Sequence, residues 1–526
     1  MEKYFNVTGY CSPNLHYMVD IEGKLTEIKK MISRNDYFII NRARQYGKTT
    51  TLKRLAKSLS NEYMVFLLSF EDITDETCEN EEKFCHRFYD LIRKIIQYEK
   101  ETPWALELLN GFAENRTLFQ LSEFISELCH KADKPVILLI DEVDKAGNYK
   151  VFLDFLSMLR KKYLDRDRFP SFQSVILAGV YDIKNLKLKM RNDNERQYNS
   201  PWNIAADFRV DMSFSAAEIA IMLGDYEREF QTGMAINEIA YLIYEYTLGY
   251  PFLVSRICKI IDEEISKAEQ FHDKSAAWSF EGFHEAIRIL LNEQNLLFDD
   301  MIKKLSEYPE LYKMLHNILF YDQKYTFDIN SFVINLGFMF GFIRQDGGRN
   351  AVAVANRIFE MKLNLFFLSE AEFKNRDELA DIKNLNQFTK DGHLNMDLVM
   401  EKFAEYYAEI YRENDRVFLE KNGCKIFLMH LKQIINGTGN YYREAQTFDN
   451  TRMDIVVDYL GKQYIIELKI WRGGSYHEEG ESQLCHYLDR HNLEKGYMIV
   501  FNFNKNKKTG MKSVERNGKI IVETIL

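Results

Sequence analysis

Apolar residues in this chain gather into short runs. The run VILLI at 136–140 has no polar interruption and ends on Asp141 and Glu142, as a strand buried on both faces of a parallel sheet should. Similar runs stand at 37–40 (YFII), 63–70 (YMVFLLSF), 174–180 (SVILAGV) and 208–214 (FRVDMSF). Between them the apolar spacing turns helical, with Leu52, Leu55 and Leu59 on one helix face. Strand–helix alternation of this kind predicts an α/β fold with a mostly parallel sheet covered on both faces.

Further along, LYKMLHNILFY has helical spacing, and FGFIRQDGGRNAVAVAN alternates like a hairpin turning at Gly347-Gly348. The aromatic LGFMFGF reads as core. Apolar spacing thins over 374–397, which predicts a joint. Beyond it, DIVVDYLGKQYIIELKIW predicts two strands around a turn at Gly461, with helical patterns before (VFLEKNGCKIFLMHLKQIING) and after (EGESQLCHYLDRH). Asp454 would start the first strand. Strand alternation puts Glu467 and Lys469 on one face and Ile466, Leu468 and Ile470 on the core side.

A chain of 526 residues is too long for one hydrophobic core and predicts a multidomain protein. Its formal charge of −10 argues against a surface that is basic throughout, leaving room for a local basic patch. Seven scattered cysteines with no C-x-x-C argue against a disulfide framework and a cysteine zinc site. No leader pattern or long apolar run is present, so the expectation is a soluble, cytoplasmic protein without a membrane segment. H-E-x-x-H, G-x-S-x-G and G-x-G-x-x-G are all missing, which removes metalloprotease, α/β-hydrolase and dinucleotide-dependent readings.

Two segments carry candidate chemistry in the first half. RARQYGKTTTL places Gly47, Lys48 and Thr49 between a strand and a helix. There, backbone N–H groups and the helix N-terminus can wrap phosphates, the lysine can reach the terminal phosphates, and the hydroxyl can ligate magnesium. Gln45, Gly47, Lys48, Thr49, Thr50 and Asp141 form the candidate ATP-binding set, with Thr49 and Asp141 on the metal and Glu142 polarising the attacking water. Arg42 stands where such loops carry their first glycine, so either its side chain points away from the nucleotide or the loop opens.

With VILLIDEVDK, VILAGVYDIKNLK, NSPWNIA and GYPFLVSRICKIID, that loop makes residues 17–260 resemble the AAA-like ATPases of the P-loop class that includes archaeal-type and STAND proteins. The resemblance implies a helical lid, with Gly249-Tyr250-Pro251 near its start unless that tripeptide is only a turn between helices. It also implies a following winged helix, which either binds DNA or acts as a packing relay; few basic residues mark its helices. An arginine finger would come from Arg160, Arg166 or Arg191.

The C-terminal region, 401–526, resembles the PD-(D/E)XK nuclease core through Glu420, Asp454, Glu467, Lys469, Gln483 and Tyr487. Met453 stands in place of the proline, and Glu413 and Glu444 are alternatives to Glu420. The resemblance implies that Asp454 and Glu467 hold Mg2+ or Mn2+ while Lys469 orients the nucleophile or stabilises negative charge; an ordinary ion pair is the alternative. Gln483 and Tyr487, at i and i+4, share a helix face beside the catalytic strand. The basic segment at 501–519 would line a nucleic-acid groove or be a solvated loop.

The expected architecture is therefore a P-loop NTPase core (1–215), a helical lid (216–300), a winged helix (301–372), a linker (373–400) and a restriction-endonuclease-like α/β domain (401–526). The expected function is an ATP-binding and ATP-hydrolysing protein controlling a magnesium-dependent nuclease, with nucleic acid, DNA above all, as partner and homo-oligomerisation through the ATPase domain. A nucleotide-dependent switch that holds nucleic acid or a partner without cutting is the alternative. A DNA motor with an accessory nuclease lacks a helicase motif series.

Overall fold

The computed structural model describes residues 2–526 apart from 101, 113–116, 148, 181–201, 322, 348–349, 375–387, 391–392, 411–419, 436–438, 443–454, 460–461, 492 and 505–506. They form two units. The first comprises Met1–Tyr244, Leu248–Glu263 and Leu336–Gly341; the second comprises Glu245–Thr247, Glu264–Asn335 and Phe342–Leu526.

The first unit begins with short strands β1 (Tyr4–Phe5) and β2 (His16–Tyr17) and helix α1 (Glu22–Ser33). Its centre is a parallel sheet of β3 (Phe38–Asn41), β4 (Met64–Ser69), β5 (Val136–Asp141) and β6 (Ser174–Gly179), in the order β3-β6-β5-β4. Every residue of β5 and β6 is buried, which is why those runs carry no polar interruption. Helix α2 (Lys48–Leu59) turns Thr51, Leu52, Leu55 and Leu59 inward. Helices α3 (Asp75–Cys78), α4 (Glu81–Ile95), α5 (Pro103–Gly111), α6 (Leu118–Lys131) and α7 (Lys150–Leu164) complete this part. Phe70, Phe84, Phe152 and Phe155 interlock in its core.

The strand expected over 208–214 does not form. Ala206 makes one parallel bridge to Phe38 and no ladder follows. Only Val210 and Met212 of the following residues are buried, while Asp207, Arg209 and Asp211 are exposed. The Val210 carbonyl is taken by the Arg42 guanidinium instead of a neighbouring strand.

Helices α8 (Ala216–Phe230), α9 (Ile236–Thr247) and α10 (Pro251–Glu263) come next. Ser215 and Glu218 close a capping box at the start of α8. Gly249-Tyr250-Pro251 is the turn between α9 and α10. Gly249 has φ +71, and a Cβ there would lie 1.8 Å from the Phe214 carbonyl oxygen, so only glycine fits.

The second unit contains α11 (Lys274–Ala277), α12 (Phe280–Asn292), α13 (Leu296–Glu307), α14 (Pro309–Tyr321) and the first half of α15 (Phe332–Met339). The antiparallel hairpin β7 (Ile343–Asp346) and β8 (Ala351–Val354) follows as expected, although Gly348 of its turn is outside the described residues. Then come α16 (Arg357–Lys374), β9 (Thr389–Lys390), β10 (His393–Leu394), α17 (Met396–Ile410) and α18 (Glu420–Ile435).

A six-stranded mixed sheet closes the chain: β11 (Gly439–Tyr442), β12 (Ile455–Tyr459), β13 (Lys462–Ile470), β14 (Lys495–Phe501), β15 (Gly510–Arg516) and β16 (Lys519–Ile525), in the order β11-β12-β13-β14-β16-β15. β13, β14 and β16 run parallel at its centre. Helix α19 (Gly474–Arg490) packs on them, and it starts well before the helical pattern read from the sequence. Among the described residues no helix is long and apolar enough to cross a membrane.

Candidate functional site

The loop between β3 and α2 is built from backbone. Gln45 and Gly47 both adopt positive φ, +56 and +77, a conformation free of strain for the glycine only. Arg42 takes the first of its two expected courses. Its side chain points away from the loop interior, donating to the carbonyls of Val210 (2.8 Å) and Asn41 (3.0 Å). Lys48 is buried, and its ammonium donates to the carbonyls of Arg42 and Ala43, both at 2.9 Å. Burial lowers its pKa, opposed by Asp144, Glu142 and Asp141.

Strand β5 delivers the acidic pair. The Thr49 hydroxyl donates to Asp141 Oδ2 at 2.6 Å, so the residues at the two ends of the expected metal site do meet. Glu142 leaves the strand with φ +56. Burial, reinforced by neighbouring Asp141, raises its carboxyl pKa. A cavity of about 530 Å³ opens here, lined by Thr49, Asp141 and Glu142 together with Lys53, Lys57 and Glu71.

Other expected residues fare differently. The Thr50 hydroxyl accepts from the Cys11 backbone N–H at 3.2 Å and so anchors the N-terminal segment. The amide oxygen of Gln45 is buried with no hydrogen-bond partner. Arg166 donates to the Asn35 carbonyl and lies 4.0 Å from the Tyr163 ring; Arg160 is on α7, and Arg191 is outside the described residues.

Sequence reasoning missed three supports of this loop. Asp144, brought back by the turn after β5, accepts from Val180 N–H at 2.5 Å. Tyr250 donates to the Arg44 carbonyl at 2.5 Å. Gly341 comes so near Ala43 that a Cβ would stand 2.6 Å from the alanine methyl. The positive-φ glycine of the GYP tripeptide signals a turn, but nothing local reveals what Tyr250 meets.

The second polar cluster lies in the C-terminal sheet. Glu467 and Lys469 share a face of β13, as the alternation predicts, and form an ion pair of 2.8 Å. Lys469 also donates to Gln483 on α19 at 3.1 Å, and Tyr487 is buried one turn further on. The expectation of one core face needs correcting. Ile466 and Leu468 are buried, but Glu467 is 0% exposed, because α19 covers its face with Gly480 seated over the Lys469 stem. Glu420 is the first residue of α18. Asp454, Glu413 and Glu444 fall outside the described residues.

Beside that cluster is one the sequence reading did not anticipate. Register aligns Glu467, Met498, Glu523 and Lys512 in one row across the sheet. His477 Nε2 is 3.0 Å from Glu523 Oε1 and 3.6 Å from Glu481 Oε1, while Lys512 pairs with Glu523 and Arg516 with Glu481. The H-x-x-x-E spacing on α19 was its signal. Two cations already balance the two carboxylates. Within the basic 501–519 segment, Lys512, Arg516 and Lys519 each pair within this unit.

A parallel sheet in the order above, with a phosphate-type loop after β3 and its threonine on the aspartate of β5, defines a P-loop NTPase fold. The chain belongs to the AAA-like domain family, whose model matches residues 19–354, more than half its length. Among solved structures it is similar to a Walker-type ATPase of Pyrococcus abyssi, with TM-score 0.50 and 14% identity over 68% of this chain and 99% of that one. More distant are Aeropyrum pernix ORC2 with ADPNP and ADP (TM-score 0.36, 11% identity, 67% and 94% covered) and Aeropyrum pernix ORC1 in complex with DNA (TM-score 0.29, 15% identity, 68% and 94% covered). No curated protein matches the chain.

Proposed function

We propose that this protein binds and hydrolyses ATP at the β3–α2 loop and that this controls a metal-dependent phosphodiesterase in the C-terminal sheet. The observation that carries the first half is the 2.6 Å approach of Thr49 to Asp141 beside the buried Lys48. Thr49 and Asp141 offer oxygen donors only, which suits magnesium, and that ion when bound would draw charge from the phosphates. The loop N–H groups and the start of α2 orient the phosphates. Lys48 neutralises their developing charge, and Glu142 takes a proton from the attacking water.

For the second half, support comes from Glu467, Lys469 and Gln483, three neighbouring polar groups on a strand and the helix covering it. Glu467 with Asp454 would hold magnesium or manganese, and Lys469 would steady the attacking water or the phosphate oxygen. The substrate would be nucleic acid, DNA above all. The alternative of a switch that holds a partner without cutting is favoured by one feature: Glu467 is entirely covered. Residues 373–400 would then act as a linker, and residues 301–372 as a winged helix relaying the nucleotide state.

The test is cleavage of plasmid and single-stranded DNA with magnesium, with and without ATP, by wild type, Lys469→Met and Lys48→Ala, each first shown to be folded. Cutting that is lost in Lys469→Met and changes its ATP dependence in Lys48→Ala is the expected result. Wild type that binds ATP yet cuts neither substrate would sink the nuclease half and leave the switch.

A further inference from the structure

We infer that Arg42 is a positioning residue of the nucleotide site: its guanidinium fastens the phosphate loop to the 206–213 segment, doing what strand pairing does not do there. The inference rests on the ATP-binding reading.

Arg42 reaches in three directions. Its backbone N–H donates to the Gly179 carbonyl at the end of β6 (3.2 Å). Its carbonyl accepts from the Lys48 ammonium (2.9 Å). Its guanidinium donates to Val210 and lies 5.1 Å from the Phe208 ring, which itself stacks on Phe38 of β3 at 5.8 Å and 6°.

A glycine would keep the first two links and lose the third. What it would lose matters because the 206–213 segment has one bridge to β3 and no ladder. That segment runs straight into α8, and Lys24 holds its end through the Ser213 carbonyl (2.8 Å) and Glu218 (2.7 Å). One planar fork therefore links the loop carrying Lys48 to the chain that enters the helices after the sheet. A lysine has the charge but not the flat face that packs on Phe208 or the fork that meets two carbonyls.

The inference reverses what the loop motif alone suggests, since restoring its usual glycine should weaken the site. The full-length chain is titrated with a fluorescent ATP analogue as wild type, Arg42→Gly, Arg42→Lys, Phe208→Ala and Arg42→Gly/Phe208→Ala, with amide exchange followed over 206–213. Arg42→Gly is expected to weaken binding by about ten-fold, the scale of one charge-assisted hydrogen bond. Arg42→Lys should fail to rescue it, the double variant should be no weaker than Arg42→Gly, and exchange over 206–213 should quicken. Equal or tighter binding by Arg42→Gly, full rescue by lysine, or additive losses would overturn the inference. If wild type binds no nucleotide, the ATP reading falls by itself, and unchanged exchange over 206–213 in Arg42→Gly would overturn the role of Arg42 independently.

Discussion

Each unit sets a lysine against carboxylates beside the parallel strands of its sheet, and the two settings are opposites. In the first, Lys48 is held by main-chain carbonyls, and its acidic neighbours line an open cavity. In the second, Lys469 is held by side chains, Glu467 and Gln483, beneath a helix that covers the glutamate. A site built from backbone stays in place when a ligand displaces its lysine, whereas a site of mutually paired side chains must break those pairs to act. The first is therefore preorganised for an anion, and the second works only if α19 or its side chains give way.

The widest separation between them should come from removing each lysine. Lys48→Ala should lower ATP hydrolysis by about 10²–10³-fold, the usual scale for losing one group that stabilises transferring phosphate. Its effect on unfolding should be smaller than that of breaking a buried ion pair, because it leaves two neutral carbonyls rather than a charge without a partner. Steady-state hydrolysis and urea unfolding on the same preparation read both quantities. A variant that keeps near wild-type turnover would remove the cradle from the mechanism.

Lys469→Met should behave the other way. It leaves the carboxylate of Glu467 buried without its cation, and breaking one side of a buried pair costs about 3–5 kcal/mol. Part of that should return in Glu467→Gln/Lys469→Met, which removes the stranded charge, and nucleotide affinity should stay unchanged in both. If Lys469→Met unfolds like wild type, the ion pair is not a closed structural element, and the contrast between the two sites fails at its second term.

How far the sequence reveals these sites follows from the same contrast. Strands β4, β5 and β6 stand within a residue or so of their apolar runs, and the loop residues are where the motif puts them, because both are local patterns. FRVDMSF misled for a physical reason: its alternation is strand-like, but its neighbour offers a guanidinium instead of a ladder. On β13, alternation placed Glu467 and Lys469 on one face. It could not show that α19 covers that face, since the Gly480 seat on the Lys469 stem is a tertiary contact. The row from Glu467 to Lys512 depends on strand order, which no local pattern carries.

The smallest expected effect is also the most specific to the open site. Glu142 is pushed above the ordinary carboxylate range by burial and by Asp141 beside it. A base works only when deprotonated, so hydrolysis should fall as pH drops through this raised value, sooner than an ordinary glutamate would require. Asp141→Asn would remove a neighbouring charge and move that limb to lower pH, although the same change weakens the metal-binding pair. A second variant is Asp144→Asn, because Asp144 is a lesser contributor to the same rise and the Thr49 hydroxyl donates to Asp141. Its acid limb should shift downward by a fraction of a pH unit, measured as kcat/KM against pH with folding checked by circular dichroism. Glu142→Gln should abolish the limb together with most of the activity. A limb that stays put in Asp144→Asn and survives at full height in Glu142→Gln would assign the proton to another group, and the left-handed turn that carries Glu142 out of β5 would be geometry without a catalytic purpose.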